Sequence, residues 1–223
     1  MRRVSAGLAM ALAIALVGQT RAADLQVRVV DGAGHPLADA VIFAVPAVPV
    51  SRGKLPINII DQVHRQFVPR VSVVQVGTAI DFPNSDNIRH SVYSFSPAKT
   101  FELKLYAGRA APPVTFDKPG IVVLGCEIHD TMVAWLLVVS TPYYGKSDSR
   151  GIVTLHDLRA GDYELRAWHE PMRQEAAERA LRVAVAASRL PDITVRLDAQ
   201  AAPPQAPPAS AMSGMPSMSG MAH

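Results

Sequence analysis

The sequence predicts an all-β protein made of two β-sandwiches, a larger one in the middle of the chain and a smaller one divided between its two sides. Helical periodicity is scarce, while short runs rich in Val, Ile, Phe and Tyr recur between Gly, Pro, Asn and Asp. The series of runs also begins afresh twice, once after a Pro-rich stretch near residue 50 and once near residue 150. We therefore expect three groups of strands rather than one continuous series.

The first 22 residues have the pattern of a secretory signal peptide. Arg2 and Arg3 precede an apolar run from Ala6 to Val17, and small residues surround the expected cleavage position after Ala22. The apolar run is shorter than the roughly 20 residues that a membrane span needs. We expect cleavage before Ala23, export to the periplasm and a mature chain without an integral membrane span. An uncleaved signal anchor is the alternative.

The charge balance of the mature chain argues against nucleic acid as a partner. The full sequence has 22 Lys and Arg against 19 Asp and Glu, a formal charge of +3. Arg2, Arg3 and Arg21 leave with the signal peptide while every acidic residue stays, so the mature chain is formally neutral. A neutral chain carries no electrostatic footprint for nucleic acid or an anionic membrane surface.

The predicted larger sandwich follows an opening pair of strands, Leu25–Val30 and Ala40–Val45, and the Pro-rich stretch. Its runs fit the seven or eight short strands of one sandwich, and Thr141-Pro142 ends the series. These runs are Phe67–Val76, Ala79–Phe82, Ser91–Phe95, Phe101–Tyr106, Val114–Phe116, Ile121–Leu124 and Met132–Val139.

Strand patterns resume at Ile152–Leu155, Tyr163–Trp168 and Ile193–Leu197. Between the last two, Arg173–Ala187 is rich in Glu, Ala, Arg and Leu, and this composition predicts a short helix unless tertiary contacts override it. Residues 199–223 are rich in Ala, Pro and Met and lack the apolar bulk for a core. We expect them to be a disordered tail.

The two outer pieces resemble the opening and closing halves of carboxypeptidase-regulatory, transthyretin-like β-sandwiches. The resemblance implies one small split domain, residues 23–50 plus 149–198, with a larger domain, residues 56–141, inserted into it. Two consecutive domains are the alternative. The residues that carry the resemblance are Val27–Asp31, Gly34–Ala40 and Leu158–Leu165.

Cys126 is the only cysteine of the chain, so it has no partner for an intramolecular disulfide in an oxidising compartment. The thiol is therefore either buried and inert or held by a metal ion. His129 and Met132 follow it closely, and the three would lie in a loop between the strands Ile121–Leu124 and Val133–Val139. A thiolate, two imidazoles and a weak thioether donor are what a copper electron-transfer site uses.

The second imidazole has to come from another loop at the same end of the sandwich. His90 lies in the segment Asn84–His90, between two predicted strands. The expected ligands of one copper ion are therefore His90, Cys126, His129 and Met132.

These segments resemble those of the cupredoxins, the type 1 (blue) copper proteins with a Greek-key β-sandwich. Asn84 stands six residues before His90, and Pro119-Gly120 stands shortly before Cys126, as is common in that family. The spacing Cys-x2-His-x2-Met is similar to the short ligand loop of the amicyanins. The stretch from Phe67 to Cys126 also resembles the cupredoxin-like periplasmic proteins of methylamine utilisation. The resemblance implies a copper ion that alternates between Cu(I) and Cu(II).

Several positions depart from the common cupredoxin pattern. Leu124 and Gly125 stand where an aromatic residue is common, Ile128 stands in place of Pro, and Ser91 stands in place of Asn. With Ser91, the hydrogen bond that joins the two ligand loops is in doubt.

Three acidic residues lie near the expected ligands. Glu127 is next to Cys126, where a carboxylate would tune the reduction potential or add a hard ligand. Asp86 and Asp130 are expected to be solvated loop charges.

The expected function is one-electron transfer with a redox partner protein. Four protein donors leave no open position for a substrate, and no paired carboxylates or nucleophile–base arrangement stand out, so enzymatic activity is not expected. Electrons are expected to pass through His129, with Ile128 and Pro83 as an apolar docking patch.

Two other functions stay open. The Met-rich tail would suit Cu(I), which favours copper storage or delivery with a copper donor as partner. The chain is otherwise a structural or adhesion module whose smaller sandwich binds a partner. The tail residues concerned are Met212, Met215, Met218, Met221 and His223.

Overall fold

The structure is a computed structural model that describes residues 22–50, 53, 55–109, 112–170, 181–186, 190 and 192–197. Every regular element in these residues is a β-strand, which confirms the predicted all-β fold class. The expected signal peptide, except Ala22, and the tail beyond residue 197 lie outside the described residues.

The strands are β1 (Ala23–Val30), β2 (Val41–Pro46), β3 (Asn58–Ile59), β4 (Asp61–Val63), β5 (Gln66–Val68), β6 (Val71–Gln75), β7 (Thr78–Asp81), β8 (Pro83–Asn84), β9 (His90–Ser96), β10 (Lys99–Tyr106), β11 (Gly108–Arg109), β12 (Val114–Phe116), β13 (Gly120–Gly125), β14 (Val133–Val139), β15 (Tyr144–Lys146), β16 (Ile152–Leu158), β17 (Gly161–Trp168), β18 (Leu181–Val185) and β19 (Ile193–Arg196).

Strands β3 to β14 form what we call the central sandwich. Its largest sheet has the order β10-β9-β13-β14-β6, antiparallel throughout except for the β14-β6 pair. Two smaller sheets, β11-β8-β4-β5 and β12-β7-β3, complete it. Strands β13 and β14 consist of apolar residues and glycine, and the side chains on one face of each strand are buried in a common core. The core includes Phe67, Phe82, Val92, Phe116, Val122, Leu124, Ala134 and Leu136.

The remaining strands form a second unit, the flanking sandwich, with the sheets β16-β1-β19 and β15-β2-β17-β18. Strand β1 pairs antiparallel with β16 and parallel with β19, so strands from both ends of the described chain lie side by side. Where the chain returns from the central sandwich, the hydroxyl of Thr141 donates to the carbonyl of Ala44 at 2.6 Å. The core of this sandwich includes Leu25, Val27, Val29, Ile42, Tyr143, Leu155, Tyr163, Leu165 and Ile193.

A third apolar cluster lies where the two sandwiches meet. Two polar contacts reinforce the junction: Arg70 pairs with Glu170 at 2.6 Å, and the Lys146 ammonium donates to the carbonyl of Val71 at 3.1 Å. The two sandwiches are therefore packed against each other and are not joined only by the chain segments that connect them. The buried members of the cluster are Val41 and Trp168 from the flanking sandwich, and Val71, Leu137 and Val139 from the central one.

The predicted helix over Arg173–Ala187 is wrong for its second half. Strand β18 occupies Leu181–Val185 and pairs antiparallel with β17. Val183 and Val185 are buried in the flanking core, and this burial outweighs the helix propensity of the neighbouring residues. Residues 171–180, where the predicted helix begins, lie outside the described residues.

Three further details differ from the expected strands. Phe67–Val76 is divided into β5 and β6 around Pro69, which has no backbone N–H to offer to a sheet. The short strand β15, which pairs with β2, has no counterpart in the predicted series. The central sandwich has twelve short strands in the described residues, more than the seven or eight expected. Among the described residues, no helix is long and apolar enough to cross a membrane.

Candidate metal centre

The loop between β13 and β14 carries three of the four predicted ligands. The two strands pair up to Gly125 and Val133, which leaves Cys126 through Met132 as their connection. Inside this loop, the backbone N–H of Met132 donates to the carbonyl of His129 at 2.9 Å. The tight hairpin keeps Cys126, His129 and Met132 at one end of the sandwich.

His90 is the first residue of β9 and reaches the same end from the neighbouring strand. Strand β9 is antiparallel to β13, with Tyr93 opposite Gly125. Because Cys126 follows Gly125, the beginning of β9 lies beside the beginning of the ligand loop. His90 is fully buried, and the centroid of its ring lies 4.9 Å from that of His129.

The thiol and the two imidazoles converge on one point. Nδ1 of His90 and Nδ1 of His129 each lie 3.9 Å from Sγ of Cys126, and all three donor atoms lie within 4.8 Å of one another. Zinc, a comparable first-row ion, has bonds of about 2.0–2.1 Å to nitrogen and about 2.3 Å to sulfur, which at an angle of about 120° would separate N from S by about 3.8 Å. The three residues thus fit one transition-metal ion.

The two exposed acidic residues of the loop stand apart from this group. Among the described residues, the His, Cys, Asp and Glu side chains that converge in this way are His90, Cys126 and His129. Glu127 is exposed, so its carboxylate is not one of the converging donors. Asp130 is also exposed, as expected for a solvated loop charge.

The predicted ligands differ in their distance from solvent. Cys126 is 2% exposed and Met132 is 1% exposed, and both belong to the core of the central sandwich. His129 is half-buried, and Ile128 beside it is 51% exposed. A metal ion bound here would be enclosed by protein, with the ring of His129 as the donor nearest to the surface.

Asn84 holds the segment that carries His90, and is more than a turn residue. Its buried amide nitrogen Nδ2 donates to the carbonyls of Ile88 at 2.9 Å and Tyr106 at 2.8 Å. Its Oδ1 accepts the backbone N–H of Asp86 at 3.0 Å. The side chain therefore closes the loop before β9 and joins it to β10.

The expectation that Asp86 is a solvated charge is wrong. Its Oδ2 lies 2.8 Å from Nε2 of His90, and its carboxylate accepts the backbone N–H groups of His64 and Arg65 at 2.7 and 2.8 Å. Desolvation raises the pKa of Asp86, but the hydrogen bonds from Arg65, His90 and His64 outweigh it and leave the pKa below its usual value. The one sequence signal for this contact is the short spacing from Asp86 to His90.

Ser91 connects the two ligand segments, although it stands where Asn is common. Its hydroxyl oxygen accepts the backbone N–H of Glu127 at 2.9 Å, which joins β9 to the ligand loop. The same hydroxyl lies 3.8 Å from Sγ of Cys126, within reach of a weak hydrogen bond to sulfur. Ser91 is fully buried, so water does not compete for either contact.

Gly125 leaves room for an aromatic ring beside the ligand loop. A Cβ atom on Gly125 would lie 2.6 Å from Cζ and 2.7 Å from the hydroxyl oxygen of Tyr93. The ring of Tyr93 lies 5.2 Å, centroid to centroid, from that of Phe95, which is 79% exposed. The aromatic group next to the ligand loop therefore comes from β9, whereas local sequence comparison looks for it on β13.

A buried polar cluster supports the base of the His90 loop. The hydroxyl of Tyr106 donates to the carbonyl of Phe82 at 2.6 Å, and Nε2 of Gln62 donates to the Tyr106 hydroxyl and to the carbonyl of Pro83. Burial raises the pKa of Tyr106 to about 12, so the hydroxyl keeps its proton at neutral pH. These contacts fix the chain immediately before Asn84.

No protein-family model and no curated protein sequence matches the chain. Solved structures to which it is similar include a nitrite reductase, amicyanins and a purple cupredoxin. The copper-containing nitrite reductase (NirK) from Thermus scotoductus SA-01 has 24% identity, a TM-score of 0.37, and coverage of 44% of this chain and 26% of that chain. A reduced variant of amicyanin has 17% identity and a TM-score of 0.35, with 43% of this chain and 98% of that chain covered. A purple cupredoxin from Nitrosopumilus maritimus has 20% identity and a TM-score of 0.32, with 36% and 96% covered.

Proposed function

We propose that this chain is an exported copper protein with one type 1 (blue) site, in which His90, Cys126 and His129 would bind the ion and Met132 would be a weak thioether ligand. The observation that carries the proposal is the placement of two imidazole nitrogens at 3.9 Å from one thiol sulfur. Two imidazoles and one thiolate, with a thioether at longer range, are the donor set of blue copper sites. When bound, copper would supply a one-electron step between Cu(I) and Cu(II).

One-electron transfer is the chemistry that enclosed donors favour. Cys126 and Met132 are buried in the core, and Asn84 and Ser91 hold the two ligand segments by hydrogen bonds. Ligands held in this way move little when the charge on the ion changes, which favours electron exchange. An enclosed ion with four protein donors leaves no position for a substrate, so we propose a carrier rather than an enzyme.

The proposed partner is a redox protein that docks at His129. This half-buried ring is the donor nearest to solvent, and its neighbour in the chain, Ile128, is exposed. Half-buried Pro83, in the strand before the His90 loop, is the second apolar residue that we propose for the docking patch. Interfaces of transient redox complexes are small, typically below about 1,200 Å². A small apolar patch around one ligand is therefore sufficient for brief docking.

The test is the addition of Cu(II) to the purified chain from Ala23 onward. We expect one equivalent to bind, with an intense thiolate-to-copper absorption band and narrow copper hyperfine splitting in electron paramagnetic resonance. Cys126→Ser should abolish the band because it removes the thiolate, and His156→Ala, at an exposed histidine of the flanking sandwich, should keep it. A colourless wild-type protein whose Cys126 thiol stays titratable after copper addition would contradict the proposal.

A second candidate function, copper storage or delivery, is favoured by the Met-rich composition of residues 212–223. These residues lie outside the described part of the chain. If the protein is a carrier, deleting them should leave both the absorption band and the rate of copper uptake at limiting metal unchanged. Slower uptake in the shortened chain would favour delivery.

We also propose that the copper-binding domain, residues 56–141, is inserted into a carboxypeptidase-regulatory-like domain made of residues 23–50 and 149–198. Support comes from the pairing of β1 with both β16 and β19 and from the single core that the two outer pieces share. The proposed export to the periplasm is supported by the signal-like pattern of the first 22 residues alone.

A further inference from the structure

The ring of His90 has two different nitrogen environments. Nδ1 faces Sγ of Cys126 at 3.9 Å, and Nε2 lies 2.8 Å from Oδ2 of Asp86. An ionised carboxylate only accepts hydrogen bonds, so the proton of a neutral His90 ring belongs on Nε2. The lone pair is then on Nδ1, which faces the point where the metal donors converge.

Asp86 is itself held in place from the opposite side. His64 and Arg65 form the turn between β4 and β5, and both have positive φ angles, 52° and 57°. Positive φ at both central residues is typical of a two-residue type I′ hairpin turn. In this turn the backbone N–H of His64 donates to Oδ1 of Asp86 at 2.7 Å, and that of Arg65 donates to Oδ2 at 2.8 Å. The side chain of Asp86 is 11% exposed, and that of His90 is fully buried. The carboxylate therefore has little freedom to turn away from the ring.

We infer that Asp86 is a positioning residue for the metal centre, which sets the tautomer and the orientation of His90 and increases its basicity toward the ion. This inference rests on the proposed copper function for its effect on the metal, but its effect on the His90 ring exists in the metal-free protein. Carboxylates that accept the second N–H of a metal-bound histidine act in this way, and their loss typically lowers metal affinity about 10–100-fold.

The competing explanation is that Asp86 only ties the loop before β9 to the β4–β5 turn. Asp61 provides a matched control, because its carboxylate ties the same loop without contacting His90. It accepts the hydroxyl of Ser85 at 2.7 Å and the backbone N–H of Ser85 at 3.2 Å. Asp61→Asn and Asp86→Asn each remove one negative charge and weaken the two contacts by which that carboxylate ties the loop, but only the second changes the partner of the histidine.

The experiment compares the wild-type chain with Asp86→Asn and Asp61→Asn. For Asp86→Asn we expect Cu(II) affinity to fall about 10–100-fold. The midpoint potential should rise, because a carboxylate that makes its histidine more basic stabilises Cu(II) more than Cu(I). For Asp61→Asn we expect affinity within twofold of wild type and an unchanged potential. Equal affinity and potential in all three proteins would overturn the inference.

A measurement without copper separates this inference from the proposed function. Long-range proton–nitrogen NMR of the metal-free wild-type chain should show the Nε2–H tautomer of His90, and Asp86→Asn should show a loss of that preference. If the wild type gives no blue site but does show this tautomer, the copper function fails and the role of Asp86 stands. A His90 ring that is protonated on Nδ1 in the wild-type chain, or unchanged in Asp86→Asn, would overturn it.

Discussion

At the scale of single residues, the hydroxyl of Ser91 contacts both the ligand loop and the thiol of Cys126. Ser91 accepts the backbone N–H of Glu127 and lies 3.8 Å from Sγ of Cys126. It thus does two things that a residue of similar size without a hydroxyl cannot do. It joins the ligand loop to β9, and it offers a hydrogen-bond donor to the sulfur that would bind copper.

Replacing Ser91 by Ala should therefore change stability and redox behaviour together. We expect the free energy of unfolding of the metal-free chain to fall by about 1 kcal/mol, because the Glu127 N–H loses its acceptor. The midpoint potential of the copper form should also fall, since a thiolate without this hydrogen bond donates more electron density to Cu(II). Chemical denaturation and protein-film voltammetry measure the two effects.

Ser94→Ala is the matched control for this prediction. Ser94 is buried on the same strand, and its hydroxyl oxygen accepts the backbone N–H of Ser96 at 3.1 Å. Loss of the Ser94 hydroxyl should lower the free energy of unfolding and leave the midpoint potential of the copper form unchanged. Equal shifts of potential in both variants would contradict a specific role for Ser91.

At the scale of elements, the pairing of β9 with β13 shapes the site. This pairing sets Tyr93 against Gly125, and it brings His90 next to Cys126. The ring of Tyr93 occupies the space that any side chain at position 125 would need. The glycine is therefore required by an aromatic neighbour on another strand, and not by its own backbone conformation.

Gly125→Ala is expected to lower the free energy of unfolding by about 1–3 kcal/mol, because the new methyl group overlaps the Tyr93 ring. Tyr93→Ala removes that overlap, so the double variant should be more stable than the sum of the two single effects implies. Chemical denaturation of the four proteins gives the coupling energy. Gly53→Ala is the control, since a Cβ there meets nothing within 4 Å. Strictly additive effects of Gly125→Ala and Tyr93→Ala would contradict the steric argument.

At the scale of the whole molecule, the two sandwiches share an apolar junction with a buried polar rim. His169 and Glu170 follow Trp168 there, and they are only 2% and 6% exposed. Nε2 of His169 lies 3.2 Å from the carbonyl of Ala38. Burial lowers the pKa of His169 below 6.5, with a smaller effect of the Arg70 charge in the same direction, while the backbones of Glu170 and Ala38 and the charge of Asp39 act in the opposite direction.

This histidine should make the whole molecule less stable in mild acid. In the unfolded chain His169 gains a proton near pH 6.5, and in the folded chain only at lower pH. Below pH 6.5 the unfolded state therefore binds more protons, and stability falls as the pH falls toward the folded pKa. We expect His169→Gln to lose less stability than wild type between pH 7 and pH 5, measured by chemical denaturation of the metal-free proteins.

The charged groups around position 169 are the same in the wild-type chain and in His169→Gln. Burial raises the pKa of Glu170 despite the nearby Arg70, and this effect favours the folded state as the pH falls, in opposition to His169. Comparing wild type with His169→Gln removes most of the contribution of Glu170. The two stability curves should run parallel above pH 7, and parallel curves down to pH 5 would contradict the prediction.

Much of the fold and part of the site could be predicted because the evidence is local. Alternating apolar residues define β1, and continuous apolar runs define β13 and β14, within a few positions, and turn residues separate the strands. The spacing of Cys126, His129 and Met132 lies within one loop. A helix was predicted where Leu181–Val185 is a strand, because composition alone does not show that Val183 and Val185 face an apolar core.

What the sequence by itself determined is the class of fold and the donor types in the β13–β14 loop, since both depend on residues close together in the chain. Only the tertiary structure decided that Asp86 lies against His90 and not in solvent, that Ser91 reaches Cys126, and that Tyr93 covers Gly125. Asp86 is directed to His90 by backbone N–H groups of the distant turn between β4 and β5, and for Ser91 and Tyr93 the physical reason is the pairing of β9 with β13. A sheet brings together side chains more than thirty positions apart, as it does for Ser91 and Cys126, and no local pattern records which groups then meet.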